Sequence, residues 1–390
     1  MKPANTQLSA LPTTIFTVMS QLAAQHGAIN LGQGFPDTEG PAELVEAARR
    51  FLGDGRNQYA PLTGLPELRG AVARANARFY GIEADATRDV VVTSGATEAI
   101  TACLMAVVDP GDEVVLIEPL YDTYLPVLKM LGAVARCVRL HAPDWLLPEQ
   151  ELRAAFGPKT KAILLNSPMN PTGKVFDARE RALIAELVRQ HDAYAICDEV
   201  YEHLTFEAPH VPLMAEPGMR ERTMRIGSAG KTFSLTGWKV GYVTASAALA
   251  ALVAKAHQIL TFCTPPNLQR AVAVGLDMKD GYYERLSGEL RARRDQLSEG
   301  LHALGFPTLP AGGSYFVVAS IDAHAKGRDD VTFCRDLITE AGVAAIPVSA
   351  FYDPEGAEPP RNLIRFAFCK REAVLTEALE RLGRVFATEG

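Results

Sequence analysis

The sequence lacks a run long and apolar enough to cross a bilayer. Its most apolar stretch, VTASAALAALVAKA, is too short and too rich in alanine. It reads instead as a buried helix. The opening MKPANTQLSALPTTIFTVMS has no continuous apolar core of the secretory kind, so the cytoplasm is the expected location. Basic runs are absent as well. Lysine and arginine number 39 against 46 acidic residues, and they are scattered. That argues against nucleic acid or an anionic membrane as a partner. The six cysteines form no C-x-x-C pair, and most sit in apolar stretches. Buried reduced thiols are expected, rather than disulfides or a metal site. His26, His191, His203 and His257 lack metal-ligand spacing, so no metal is expected. No internal repeat and no low-complexity linker is found.

Two nucleotide fingerprints are also incomplete. Gly230-Lys231-Thr232 ends like a Walker A loop, but the position five before Gly230 is Arg225 rather than glycine. LGQGFPDTEG offers Gly32 and Gly34, but Asp37 stands where the third glycine of a dinucleotide loop belongs.

What remains is an ordinary globular composition, 48% hydrophobic and 22% charged, in 390 residues. That length suits two domains, or one large domain with a lobe. From about residue 88, apolar strand-like runs alternate with helical ones: DVVVT, DEVVLIEP, KAILLNSP, AYAICDEVY, TMRIGS and VGYVTAS. Nearly continuous apolar strands separated by helices predict an α/β fold. The expected form is a large, doubly wound, mainly parallel sheet domain over 45–270. A smaller α+β domain is expected from 271–390, joined by 1–44. Ligands in such sheets bind at the carboxyl ends of the strands.

Those strand ends carry chemistry. VVVT-SGAT-EAI is strand, small-residue turn and helix, a setting in which backbone N–H groups and the helix dipole favour an anion. Asn166 ends a strand, and Asn170-Pro171 stands in the turn after it. Asp198 ends a wholly apolar strand, where a carboxylate is costly unless partnered. Lys231 follows another strand end, and a desolvated lysine becomes a nucleophile. Pyridoxal phosphate needs this set: a phosphate cradle, a donor at its phenolic oxygen, a carboxylate at its ring nitrogen and a lysine for its aldehyde.

The ordered motifs SGATEA, NSPMNPTGKV, CDEVYEHL, SAGKTFSLTGWKVGY and LIRFAF resemble those of the class I/II aminotransferases of pyridoxal-phosphate fold type I. The resemblance covers nearly the whole chain. INLGQGFPD and NQYAPLTGLPELR point to the branch of methionine aminotransferases and kynurenine–glutamine transaminases, and LPTTIFTVMSQLA looks most like the methionine type.

The resemblance implies roles. Lys231 holds the cofactor covalently and then shuttles the substrate proton. Asp198 pairs with the ring nitrogen. Asn170 and Tyr201 bind the phenolic oxygen, and Tyr121 stacks on the ring. Gly95, Ala96, Thr97, Ser228 and Lys239 surround the phosphate. Tyr59 reaches the phosphate of a neighbouring subunit, which implies a homodimer with shared sites. Arg365 binds the substrate α-carboxylate, with Asn166 and the Gly34 backbone. Phe16, Tyr59 and Tyr121 wall the side-chain pocket. Trp238 packs beside the phosphate site, and Arg361 is a loop charge.

Two positions depart from common patterns. Lys239 stands where many members carry arginine. Thr97 stands where some kynurenine-type members carry an aromatic, which weighs against kynurenine as the main substrate. The implied reaction is ping-pong transfer of an amino group between an amino acid and a 2-oxo acid. β-Elimination from cysteine conjugates uses the same residues. A DNA-binding regulator built on this scaffold is disfavoured by the acidic chain and by the roughly 30 residues before NLGQGFPD.

Overall fold

The computed structural model describes residues 2–386. Twelve strands follow one another: β1 (Ile29–Asn30), β2 (Val90–Thr93), β3 (Glu113–Glu118), β4 (Val134–Arg139), β5 (Thr160–Asn166), β6 (Tyr194–Asp198), β7 (Thr223–Ser228), β8 (Gly241–Thr244), β9 (Phe316–Ser320), β10 (Val343–Ala344), β11 (Ile346–Pro347) and β12 (Leu363–Ala367).

Seven of them form the main sheet, in the order β2-β8-β7-β6-β5-β3-β4. β8 runs antiparallel to both its neighbours, and the remaining pairs are parallel. This is the mainly parallel sheet expected from the apolar runs. Alternation along β5 shows why those runs are continuous. Leu164 packs with helix Gly95–Val107 on one face, while Ile163 and Leu165 pack with helix Ala178–Gln190 on the other. Both faces are covered, which keeps the middle of the run apolar on each side.

Two expectations need correction. β4 was not anticipated: it is an edge strand in which Val134 and Arg136 are exposed, so its sequence VARCVR carries no apolar run. The alanine-rich helix Ala247–Leu260 is buried on one side only, and Ile259 on its outer side is 76% exposed. Gly230-Lys231-Thr232 lies in a short helix, Ala229–Thr232, directly after β7, and forms no phosphate loop.

A second sheet, β11-β12-β9, is antiparallel. The N-terminal segment joins it: β1 pairs with β10, and helix Ile15–His26 packs against β10 and β11. Leu31 O accepts from Ala367 N at 2.7 Å, which ties the segment to the end of β12. Residues from both chain ends thereby reach the carboxyl ends of the large sheet's strands.

Candidate active site

The carboxyl ends of β2, β5, β6 and β7 surround a cavity of about 430 Å³. β2 leads to Gly95, Ala96 and Thr97, and β5 leads to Asn166 and then Asn170. β6 leads to Asp198 and Tyr201, and β7 to Ser228 and Lys231. Tyr121 and Lys239 complete the large-sheet wall. Arg365 on β12, with Phe16 and Gly34 from the N-terminal segment, closes the other side. Of the residues expected at the site, Tyr59 alone does not line it. Tyr59 is 84% exposed and packs edge-on against Phe262. It therefore does not wall the pocket of its own chain.

Asp198 is buried. Its Oδ2 accepts from the Tyr124 hydroxyl at 2.6 Å, while its Oδ1 has no partner. Burial pushes the carboxyl up to about 6, against the pull of the Tyr124 hydrogen bond. An orphaned buried oxygen is costly, and a protonated ring nitrogen supplies the missing donor.

Lys231 is partly buried, with its amine between the two walls. Nζ donates to Tyr315 Oη at 2.8 Å and to Gly34 O at 3.3 Å. It stands 5.7 Å from the Tyr201 ring centre. Burial lowers its pKa to about 8, with Arg365 and Lys239 adding to the shift and Cys369 and Asp198 opposing it.

The phosphate end is built from backbone. Gly95 has φ +76°, which opens the turn after β2, and Ser94 provides no side-chain cap to the helix that follows. A Cβ at Gly95 would lie 3.2 Å from Lys239 Nζ, so glycine leaves the lysine room there. Helix Gly95–Val107 thus presents free N–H groups and its positive dipole end beside a cation, a fit for phosphate.

At the opposite end, Arg365 is 1% exposed. It donates to Asn170 Oδ1 at 2.7 Å and to Gly32 O, and its Nε has no partner. Its guanidinium lies 3.9 Å from the Phe316 ring centre, with Phe16 and Phe351 also close. Burial lowers its pKa to about 10, so it stays charged at neutral pH. Arg361 reaches only Ser349, at 3.5 Å, as expected of a loop charge. Asn166 is committed at both ends of its amide: Nδ2 donates to Asp198 O at 2.8 Å, and Oδ1 accepts from Asn170 N at 2.7 Å. It braces the turn that carries Asn170.

Sequence reasoning missed Tyr124, Tyr315, Phe316 and Asp122. Tyr124 was detectable in principle, because it lies three residues beyond Tyr121 in YDTY, one helical turn on. Nothing local marks Tyr315, whose neighbours Lys231 and Gly34 are 84 and 281 residues away.

The chain matches the model of aminotransferase class I and II over residues 26–382. A probable N-succinyldiaminopimelate aminotransferase of Mycobacterium tuberculosis is 46% identical, with 96% of this chain and 97% of the relative covered. A methionine aminotransferase of Escherichia coli is 42% identical, at the same coverage. A solved structure of N-succinyldiaminopimelate aminotransferase from Mycobacterium tuberculosis superimposes with a TM-score of 0.93 at 45% identity, covering 98% of this chain and all of that one. The chain belongs to the class I and II aminotransferases. These are pyridoxal-phosphate enzymes of fold type I. The orphaned Asp198 oxygen, the Gly95 turn and the cavity-facing Lys231 fit that cofactor.

Proposed function

We propose that this aminotransferase takes the amino group from a neutral L-amino acid of the methionine or aromatic type. A 2-oxo acid then receives it in a ping-pong cycle. One observation carries the choice of donor. Arg365 is the only arginine among the described residues lining the cavity, and the walls around it include Phe16, Phe35, Tyr121 and Phe316. Asp122 lines the same space, so a second substrate carboxylate meets a carboxylate rather than a cation.

Bound at this site, pyridoxal phosphate supplies the electron sink that loosens the substrate Cα–H bond. The chain's residues do the rest. Arg365 forks onto the α-carboxylate, which fixes the Cα near Lys231, with Asn166 and the Gly34 N–H at the same end. The Lys231 amine takes the proton from the substrate Cα and would carry it to the cofactor's aldehyde carbon, a role worth roughly 10²–10⁴-fold. Asp198 keeps the ring nitrogen protonated. Asn170 and Tyr201 would hold the phenolic oxygen, and Tyr121 would stack on the ring. Gly95, Ala96, Thr97, Ser228 and Lys239 hold the phosphate.

Residues 45–270 form the cofactor-holding domain in this scheme, and 1–44 with 271–390 the small domain. Residue 1 and residues 387–390 lie outside the described residues. The exposed Tyr59, packed edge-on against the exposed Phe262, supports a homodimer in which Tyr59 serves the partner's phosphate. No described helix is long and apolar enough to cross a membrane, in keeping with the proposed cytoplasmic location.

The relative at 46% identity favours a second reading, a succinylated diamino acid substrate. A donor and acceptor screen of the purified holoenzyme separates the two. Highest kcat/KM with methionine, phenylalanine, histidine, glutamine or kynurenine supports the neutral donor. Preference for N-succinyldiaminopimelate over all of these would sink it. Pyruvate and ammonia release from cysteine conjugates measures the β-lyase alternative. Lys231→Ala is expected to fold and lose all turnover; residual normal turnover refutes its assigned role.

A further inference from the structure

The Lys231 amine stands between two chambers. The front one is the 430 Å³ cavity described above. Behind it lies a second cavity of about 390 Å³, lined by Lys231, Tyr315 and Cys369, with Arg285, Glu289 and Arg293 also in its wall. A lysine stem has four rotatable carbons and a compact head, so the stem alone does not choose between two spaces. Something must hold the amine at the front.

We propose that Tyr315, together with the Gly34 carbonyl, is the seat of the free Lys231 amine, a positioning residue that aims the amine's lone pair at the front cavity. The proposal rests on the reading of Lys231 as the proton shuttle. The hydrogen bonds form a closed triangle. Tyr315 Oη donates to Gly34 O at 2.5 Å. With its single proton committed there, the phenol oxygen can only accept from Lys231, at 2.8 Å. Gly34 O has two lone pairs, and the second takes Lys231 at 3.3 Å. A neutral amine has two N–H groups and one lone pair. Both N–H groups are occupied by the triangle, so the lone pair points away from it.

The seat is rigid. Tyr315 is 1% exposed, and its ring packs edge-on against Tyr201 at 5.1 Å and Phe316 at 4.8 Å. Its backbone is tied on both sides, with Ser314 N donating to Leu204 O and Tyr315 O accepting from Phe368 N. Gly34 is held just as closely. A Cβ there would stand 2.4 Å from Phe316 Cζ and 3.1 Å from Tyr315 Cε2, so only glycine brings its carbonyl under the phenol. The charged and titratable groups facing the amine are Asp198 from β6, Tyr201 beyond it, Arg365 and Cys369 at β12, Lys239, and Tyr315 itself.

Tyr315→Phe tests the seat, because it removes one hydroxyl and keeps the ring packing. Two readouts are needed. The first is pH-dependent acylation of Lys231 in the cofactor-free chain, followed by peptide mass spectrometry. Burial lowers the Lys231 pKa to about 8, so the wild-type midpoint is expected near that pH. A phenol oxygen accepts more strongly from an ammonium than from an amine, so its loss is expected to move the midpoint lower. The second is steady-state kinetics of the holoenzyme. We expect kcat to fall about tenfold, the value of one hydrogen bond to a charged or reacting group. The amino acid KM stays within about twofold, as expected when a transition-state interaction is lost. The isotope effect with Cα-deuterated substrate rises. An unchanged midpoint overturns the proposal, and so does an unchanged kcat and isotope effect. Lys231→Ala run in parallel separates the two levels. If that variant is dead while Tyr315→Phe behaves as wild type, the seat is wrong and the Lys231 reading stands.

Discussion

Strand β6 ends in Asp198 and Glu199 follows it, and these adjacent carboxylates turn to opposite sides and meet opposite environments. Asp198 faces the cavity with one oxygen bonded and one orphaned. Glu199 turns the other way, into a buried ion cluster. There Arg225 of β7 donates through Nε to Glu199 at 2.6 Å, through one terminal nitrogen to Asn76 at 2.6 Å, and through the other to Glu202. His210 lies 3.2 Å from Glu199, and the Arg225 guanidinium lies 4.6 Å from the Tyr80 ring centre. Burial alone would raise Glu202, but Arg225 beside it holds the carboxyl below the usual range. Two equally buried acids one residue apart thus differ in whether their charge is answered from within the chain. The answered one ties β6 to β7. The unanswered one is left for a ligand.

The largest expected effect falls on the answered side. Arg225→Met leaves Glu199 and Glu202 buried without their cation, and should cost about 3–5 kcal/mol of folding stability. Chemical denaturation measures it, with kcat of the surviving fold little changed. A loss of activity without a loss of stability would break the comparison.

Next comes Asp198→Asn, with effects of opposite sign on stability and function. The folded pKa of about 6 lies above the ordinary 3.8, so the charged form is what the fold disfavours. That penalty is present above the folded value and vanishes below the unfolded one. The cofactor-free variant should gain up to about 3 kcal/mol near pH 7, converted at 1.36 kcal/mol per pKa unit. The gain should shrink as pH falls through 6 towards 4. Activity should fall by roughly a hundredfold or more in the same variant, a size typical of a removed electrostatic stabiliser. A variant less stable than the parent at neutral pH would refute the unanswered-charge account.

The smallest effect concerns Tyr124, whose hydroxyl donates to Asp198. Tyr124→Phe lets the carboxyl climb further and should reduce kcat/KM roughly tenfold, by losing one hydrogen bond to a charged group. Its kinetics against those of Asp198→Asn show how much of the carboxylate's effect depends on orientation.

The cavity face was largely legible in the sequence, and the ion cluster was not. Asp198 and Asn166 end strongly apolar runs, where a polar residue is conspicuous, and Lys231 follows the end of β7. Gly95 announces itself in a strand–turn–helix. Glu199, Glu202 and Arg225 are ordinary charges in sequence, and Arg225 drew notice only as the residue that spoils a Walker loop. Its partners lie 23, 26 and 149 residues away, and it takes the pairing of β6 with β7 and the packing of helix Pro66–Tyr80 to bring them together. Tyr59 shows the reverse limit: sequence suggested a pocket wall, and the fold places its ring on the surface.

Local chemistry, then, was determined by the sequence itself. The order of apolar strands implied a mainly parallel sheet, and the residues at their ends implied a pyridoxal-phosphate site, because hydrophobic periodicity and strand-end position are short-range properties. Tertiary structure alone decided which charges are answered and where the free amine rests. Those outcomes depend on groups such as the Tyr315 hydroxyl and the Gly34 carbonyl, 281 residues apart in sequence, meeting within hydrogen-bond distance. No window of sequence contains both.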